Sequence, residues 1–499
     1  MDVVLPADTA APDTAAPRPL GRMALYALLG FSAGLPFYMF STVLALRLAD
    51  QGVGLVVIGF FAWVTLLPTF KWAWAPLLDR YSVPGFARFW GRRRGWIMLA
   101  QLGIAASLVA MALFATGDNL PLTALFAVQL AFWTTTLEVA ADAWRIELAP
   151  TAQEQGPIVA ANLWGYRSAM VAAGSGALIL ADASGWTIAY LAIAVAAFAP
   201  FPLLASLPAA QDGEGRRGTA LMTGLLASAA ILVAVLAITA LVGSALLALA
   251  GQAGIGADTN VTPVVLAICL LPFLLLALAL PRIRRASPAG RLRASGVTGP
   301  YVDVFWRFGY GALAILLFVS LYRMGDVLAL TLAKPLVRSL GYSLTAIGLA
   351  DGVVALAASL AGVALGGWLV MRIALPWALA AGAVAAAAGN WALVWLAYQP
   401  PGTAVLYLAT GADQFGNGMA GAVFVVYLSM LVNPRHAGAQ YALLSGFAFL
   451  LPRLLAGASG AMQVRIGFDG FFILAGALSL LAVLLLPIVA RLRPRQADA

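Results

Sequence analysis

Apolar runs long enough to cross a membrane, broken by short polar loops, repeat along almost the whole chain. A spanning helix needs roughly 20 mostly apolar residues. Runs at 23–49, 55–79, 96–117, 121–147, 157–182 and 186–206 predict six helices. A polar stretch, QDGEGRRG (211–218), follows, and then two further runs at 220–250 and 262–281. After the linker RIRRASPAGRLRASGVTGP (282–300), six more are predicted at 303–332, 344–371, 374–398, 402–432, 438–465 and 467–490. The pattern reads six, plus two, plus six.

Composition sharpens that picture. The chain's 499 residues are 63% hydrophobic and only 10% charged, against about a quarter charged in a soluble domain. A membrane barrel would instead alternate in segments of about 10 residues. The expected fold is an all-α polytopic membrane protein with 14 transmembrane helices. Its parts are a disordered cytoplasmic tail (1–22), a six-helix bundle (23–206), a linker carrying two extra helices (207–300), a second six-helix bundle (301–490) and a short tail (491–499). Two six-helix halves enclosing a site are the plan of the major facilitator fold.

The formal charge of +9 does not point to nucleic acid, because the arginines sit in short loops. Arg80, Arg88 and Arg92 to Arg94 share one loop; Arg216, Arg217, Arg282, Arg284, Arg285, Arg291, Arg293, Arg372, Arg435, Arg491, Arg493 and Arg495 mark others. With 14 spans, all of these fall on the side of the N-terminus, and the positive-inside rule makes both termini cytoplasmic. The start lacks the basic and apolar segments of a cleaved signal. One histidine and one cysteine leave no metal cluster and no internal disulfide, and no phosphate-binding glycine loop is present. No cofactor and no enzymatic activity are expected.

Several spans carry charge. In TTTLEVAADAWRIELAP (134–150), Glu138, Asp142 and Arg145 are spaced i, i+4 and i+7, within a sector of roughly 60° on one helix face. An ionised group facing lipid costs about 2.5–3.5 kcal/mol or more, so that face points into the bundle or a wet cavity. Glu138 and Asp142 are candidates for proton coupling, or for a structural salt bridge to Arg167 on the next helix. Arg145 and Arg167 are candidates to hold an anionic substrate or to tune the acids. In NLWGYRSAMVAAGSG, Gly165, Ala169, Gly174 and Gly176 permit close helix packing. The second half adds Asp326, Asp351, Arg453 and the glycine-rich GADQFGNGMAG (411–421), a broken or closely packed helix. There Asp413, Gln414 and Asn417 offer polar groups to a substrate. Phe37 and Tyr38, after Pro36, are candidate cavity aromatics, whereas Trp63, Trp72 and Trp74 equally suit an interface belt. Lys334 and Arg338 read as interfacial side chains whose charges snorkel outward.

Between the second and third predicted helices runs FKWAWAPLLDRYSVPGFARFWGRRRGW (70–96). An acid at a helix end, Asp79, followed by Arg92, Arg93 and Arg94 resembles the conformational latch of major facilitator proteins. Together with GFSAGLPFYMFSTVLALRLADQGVGLVVIGFF (30–61), EVAADAWRIELAP (138–150), NLWGYRSAMVAAGSGALILAD (162–182) and LYRMGDVLALTLAKPLVRSLGYSLTAIG (321–348), this stretch resembles the AmpG-type muropeptide permeases. That resemblance covers nearly the whole chain, including the two extra central helices. Where the family carries Gln-Asp, this chain has Leu137 and Glu138: the acid is kept and the amide is not. The resemblance implies a monomeric inner-membrane importer, driven by protons, of N-acetylglucosaminyl-anhydro-N-acetylmuramyl peptides for cell-wall recycling. The alternatives are another anionic cargo, such as acetyl-CoA, on the same fold, or a sensor that binds without transporting.

Overall fold

A computed structural model describes residues 19–53, 62–83, 85–115, 117–207, 277–285, 298–456 and 459–492, with a few isolated positions besides. The tail up to residue 18, the first of the two extra spans, most of the second (with Cys269) and the chain beyond residue 494 lie outside the described residues, as do Arg216, Arg217, Arg291 and Arg293. Among the described residues every regular element is a helix, with no strand. Among them, nine helices are long and apolar enough to cross a membrane.

The first set comprises α1 (Pro19–Phe40), α2 (Thr42–Asp50), a 3₁₀ stretch Ala62–Ala73, α3 (Ala75–Arg80), α4 (Phe86–Phe114), α5 (Leu120–Leu148), α6 (Ala152–Val171), α7 (Ala177–Ser184), α8 (Trp186–Ala197) and α9 (Pro200–Ser206). The second comprises α10 (Gly299–Phe308), α11 (Gly311–Ser339), α12 (Leu344–Leu349), α13 (Ala355–Arg372), α14 (Leu375–Ala397), α15 (Thr403–Leu431), α16 (Ala437–Ala456) and α17 (Ser459–Arg491).

Several predicted spans are interrupted, and local chemistry says why. The second predicted helix winds as 3₁₀ around Pro68 and restarts as α3 with Pro76 in its first turn. The fifth begins earlier than expected, at a capping box in which Thr151 and Glu154 satisfy each other's backbone N–H groups. It then widens into a π turn at Ala172–Gly176. A matching π turn, Ala350–Val354, separates α12 from α13. The span predicted at 303–332 is two helices, because Gly309 takes φ +57° and turns the chain between α10 and α11. α17 starts at Ser459, earlier than the predicted 467, and bends at Gly467, where φ is +71°.

Polar residues within the spans are satisfied locally. Thr134, Thr135 and Thr136 each donate to a carbonyl one turn back, at 2.6–2.8 Å, so the three hydroxyls cost α5 no unpaired group. Helix contacts are made close by glycine. A Cβ on Gly165 would lie 1.8 Å from the Ala27 carbonyl oxygen, and one on Gly30 would lie 2.0 Å from that of Asn162. These two glycines seat α6 directly on α1. Gly174 meets the ring of Tyr38, whereas Gly176 faces no described atom within 4 Å and has no part in that packing.

Residues 411–421 form unbroken helix inside α15. Gly416 there abuts the Ala385 carbonyl of α14, and Gly418 that of Ser359 in α13. Of the two readings of GADQFGNGMAG, close packing is the one observed. The two sets of helices meet where Gly156 of α6 lies against the Gly367 carbonyl of α13, and where Gly446 of α16 lies against Thr69.

Candidate translocation site

At the end of the bundle carrying the arginine loops, a buried polar cluster with the form of a lock joins the two sets of helices. Asp79, at the end of α3, is buried and lies 2.7 Å from Arg93 at the start of α4. Its two oxygens also accept from the backbone N–H groups of Gly438 (3.1 Å) and Ala439 (2.8 Å). Those donors are in the first turn of α16, in the other half of the chain, where unpaired N–H groups and the helix dipole favour an anion. A Cβ on Gly438 would come within 2.8 Å of Asp79, so the approach needs glycine.

Arg93 continues to Glu147 at 2.6 Å, and Arg92 reaches both Glu147 (3.7 Å) and the Asp79 carbonyl. Of the predicted latch residues, Asp79, Arg92 and Arg93 come together. Arg94 turns instead to the Leu207 carbonyl at 3.1 Å. Glu147 went unread in the sequence, although its place at the end of α5, level with the basic loop, was the signal for it. A polar cluster in the second half was likewise missed. Asp303 of α10 lies 3.7 Å from Arg307 and accepts from Gln440 at 2.8 Å.

Beyond the lock is a cavity of about 180 Å³, lined by Tyr26, Glu138, Asp142, Asn162, Tyr166 and Tyr441 among others. Glu138 and Asp142 do share this face, as the spacing predicts. Asp142 pairs with Arg145 at 2.9 Å. Glu138 pairs at 3.8 Å with Lys71 of the 3₁₀ stretch, a partner on another helix that spacing within α5 cannot reveal. Arg167 pairs with neither acid. Arg145 is 1% exposed, donates to Gln155 (2.7 Å) and to Ser429 of α15 (3.1 Å) as well as to Asp142, and sits over the Tyr441 ring. The structure thus places Arg145 as a tie between the two halves, with its donors already engaged.

A second cavity of about 50 Å³ lies within the second half, lined by Asp326, Lys334, Asp351, Asp413, Gln414 and Asn417 among others. Asp326 is buried and pairs with Arg323 at 2.7 Å. Lys334 and Asp351 form an exposed pair at 2.5 Å, so Lys334 has a carboxylate partner as well as an interfacial position. Arg338 donates to the Tyr342 carbonyl. Among the described residues, Asp413 accepts from the amide of its neighbour Gln414 alone, at 2.9 Å.

Besides Arg323, two more cations reach the middle of the bundle. Arg167 of α6 donates to Asn417 of α15 at 3.0 Å, linking the halves. Arg453 of α16 donates to the Thr69 hydroxyl. Arg453 and Arg323 each stand 5.5 Å from the centroid of Phe449, which both guanidiniums share. Among the described residues no carboxylate lies within 4 Å of Arg167 or Arg453. Arg453 was visible in LLPRLLAG as a charge, but its relation to Phe449, one turn earlier, was not read. Phe37 and Tyr38 are half-buried; Phe37 packs edge-on against Phe40, and Tyr38 against the π turn at Gly174. Trp74 is core, bonded to Thr136 at 3.1 Å.

No protein-family model matches the chain. Relatives and solved structures do. The anhydromuropeptide permease of Escherichia coli (strain K12) is 26% identical over 466 residues, which are 93% of this chain and 79% of that one. A putative AmpG transporter of Rickettsia felis is 26% identical over 462 residues, covering 92% and 94%. Among solved structures, a double-tryptophan mutant of XylE superposes with a TM-score of 0.62 at 14% identity, covering 96% of this chain and 97% of that one. XylE bound to a halogenated glucose, described as a major facilitator proton:xylose symporter, gives 0.59 at 15% identity, covering 93% and 94%. The chain is therefore a multi-pass membrane protein of the major facilitator fold, similar along most of its length to the AmpG-type permeases.

Proposed function

We propose that this protein is a proton-coupled importer that carries anhydro-muropeptides from the periplasm to the cytoplasm for cell-wall recycling. The observation that carries the reading is the pair of interior guanidiniums, Arg167 and Arg453, whose hydrogen-bond partners are neutral side chains. An uncompensated cation inside a membrane is costly and marks a substrate path. A cargo with a lactyl-peptide carboxylate supplies the missing charge. Asn417 and Gln414 offer amides to sugar hydroxyls, and Phe449 and Tyr38 offer rings to sugar faces. The similarity to proteins named anhydromuropeptide permease supports this choice of anion.

Orientation follows from charge. The lock end carries Arg92, Arg93 and Arg94, and the positive-inside rule puts it in the cytoplasm of a bacterial inner-membrane protein. With Asp79 on α16, the structure is then a state closed to the cytoplasm. Rocking of the halves about the central site, with one chain acting alone, opens that end in turn.

The test uses purified protein in liposomes with an inward proton gradient and labelled N-acetylglucosaminyl-anhydro-N-acetylmuramyl tripeptide. Gradient-dependent accumulation is expected. Arg167→Gln and Arg453→Gln each raise the apparent KM about tenfold or more, the equivalent of one lost charge-assisted hydrogen bond of ~1.5–3 kcal/mol. Uptake indifferent to the gradient refutes proton coupling. Suppression of uptake by coenzyme A esters in preference to unlabelled muropeptide refutes the cargo.

A further inference from the structure

We infer that Asp413 holds the coupling proton, and that its charge state decides whether Arg167 is free for the anionic cargo. The inference rests on the proton-coupled reading above and deepens it by naming the residue. Five acids line the two cavities: Glu138, Asp142, Asp326, Asp351 and Asp413. Four of them are ion-paired, with Lys71, Arg145, Arg323 and Lys334 respectively. Protonating any of those four breaks an ion pair. Protonating Asp413 breaks none, since its described partner is the Gln414 amide.

The charged groups facing Asp413 come from three other elements. Asp326, Arg323 and Lys334 belong to α11, Asp351 to the π turn before α13, and Arg167 to α6. Four of these five are already paired with one another: Arg323 with Asp326, and Lys334 with Asp351. Arg167 remains as the cation able to answer Asp413. It rests on Asn417, four residues along α15 from Asp413, and residues so spaced lie about 5–6 Å apart on one helix face. The observed position, on the amide and not on the acid, is the one a neutral Asp413 calls for.

The exchange balances in charge. When Asp413 is a carboxylate, Arg167 moves one turn along α15 and the two cancel. A proton entering from the side opposite the lock converts the carboxylate to a carboxylic acid, and Arg167 returns to Asn417 with its positive charge unanswered. A cargo carboxylate then answers it. One proton and one anionic group are held together, and loss of the proton on the far side returns Arg167 to Asp413 and expels the cargo.

The test reads protons without cargo. Proteoliposomes on a solid-supported membrane receive a proton-concentration jump, and the charge displaced is recorded for wild type, Asp413→Asn and Asp413→Glu, each checked for monodispersity. Wild type displaces charge, Asp413→Asn loses at least four-fifths of it, and Asp413→Glu keeps it with a shifted pH midpoint. Binding of the muropeptide tripeptide by wild type falls about tenfold per pH unit above that midpoint, as linkage to one proton requires, and in Asp413→Asn it is flat. Displacement by Asp413→Asn equal to wild type overturns the inference, as does an unshifted midpoint in Asp413→Glu. No displacement by wild type itself refutes proton coupling, so the two failures are told apart.

Discussion

The Asp79 carboxylate accepts a 2.8 Å hydrogen bond from the backbone N–H of Ala439, 360 residues further along the chain. That bond, its neighbour at Gly438 and the ion pair to Arg93 join the two sets of helices at one end of the molecule through a single side chain. Removing a partner from a buried pair costs about 3–5 kcal/mol when the remaining charge is stranded. Here Glu147 still answers Arg93, so Asp79→Asn weakens the closed state by about 1.4 kcal/mol, which multiplies the open population tenfold. Maleimide labelling of an Ala141→Cys reporter, in a Cys269→Ser background, reads this from the lock end. Unchanged labelling would count against the lock.

Lys71 and Glu138 stabilise each other across two helices. Lys71→Met leaves Glu138 without its nearest cation and lowers stability by about 2 kcal/mol. That is below the ~3–5 kcal/mol of a fully buried pair, because the two are 3.8 Å apart and partly exposed to the cavity. Adding Glu138→Gln recovers most of the loss. Thermal unfolding in detergent of the two single variants and the double variant measures the coupling, and additive losses would show that the pair is not an energetic unit.

Gly165 and Gly176 lie about three helical turns apart on one continuous span. Gly165→Ala drives a methyl into the Ala27 carbonyl and prevents α6 from seating on α1, whereas Gly176→Ala meets open space. The expected outcome is loss of folded protein for the first and less than about 0.5 kcal/mol of change for the second, as at an unconstrained surface position. Yield of monodisperse protein on size exclusion separates the two.

His436 sits in the short turn before α16, half-buried, and burial lowers its pKa from the ordinary 6.5, against the raising influence of Asp79. The unfolded chain therefore binds a proton more readily than the folded one. Stability contributed by the neutral ring is full above pH 6.5 and falls as pH drops through that value toward the lowered folded pKa. His436→Gln flattens this part of the stability profile, measured by thermal unfolding between pH 5 and 8. A slope that persists in the variant assigns it to other groups.

How far the sequence discloses the molecule depends on the range of each interaction. The polar face of α5 was legible because helical periodicity is local: Glu138, Asp142 and Arg145 needed no knowledge of other helices. The lock was legible from Asp79 and the arginine loop, though Arg94 was indistinguishable there from Arg92 and Arg93. Partnerships between helices were not legible. Lys71 meets Glu138 across 67 residues and Arg167 meets Asn417 across 250, and nothing in either local pattern names the other member. The helix break at Gly309 was hidden for a related reason. Hydropathy averages across a single backbone turn, so two helices joined by one glycine look like one apolar run.

The two π turns give the spans that carry them some slack. Each holds one residue more than a regular helical turn requires, at Ala172–Gly176 and at Ala350–Val354. Both lie beyond the seam where Gly156 meets Gly367, on the side away from the lock. Segments past such a surplus can swivel while the seam keeps its register, as a cuff turns on a fixed sleeve. A change in the angle of those end segments therefore need not disturb the Gly156–Gly367 contact that joins the two sets of helices.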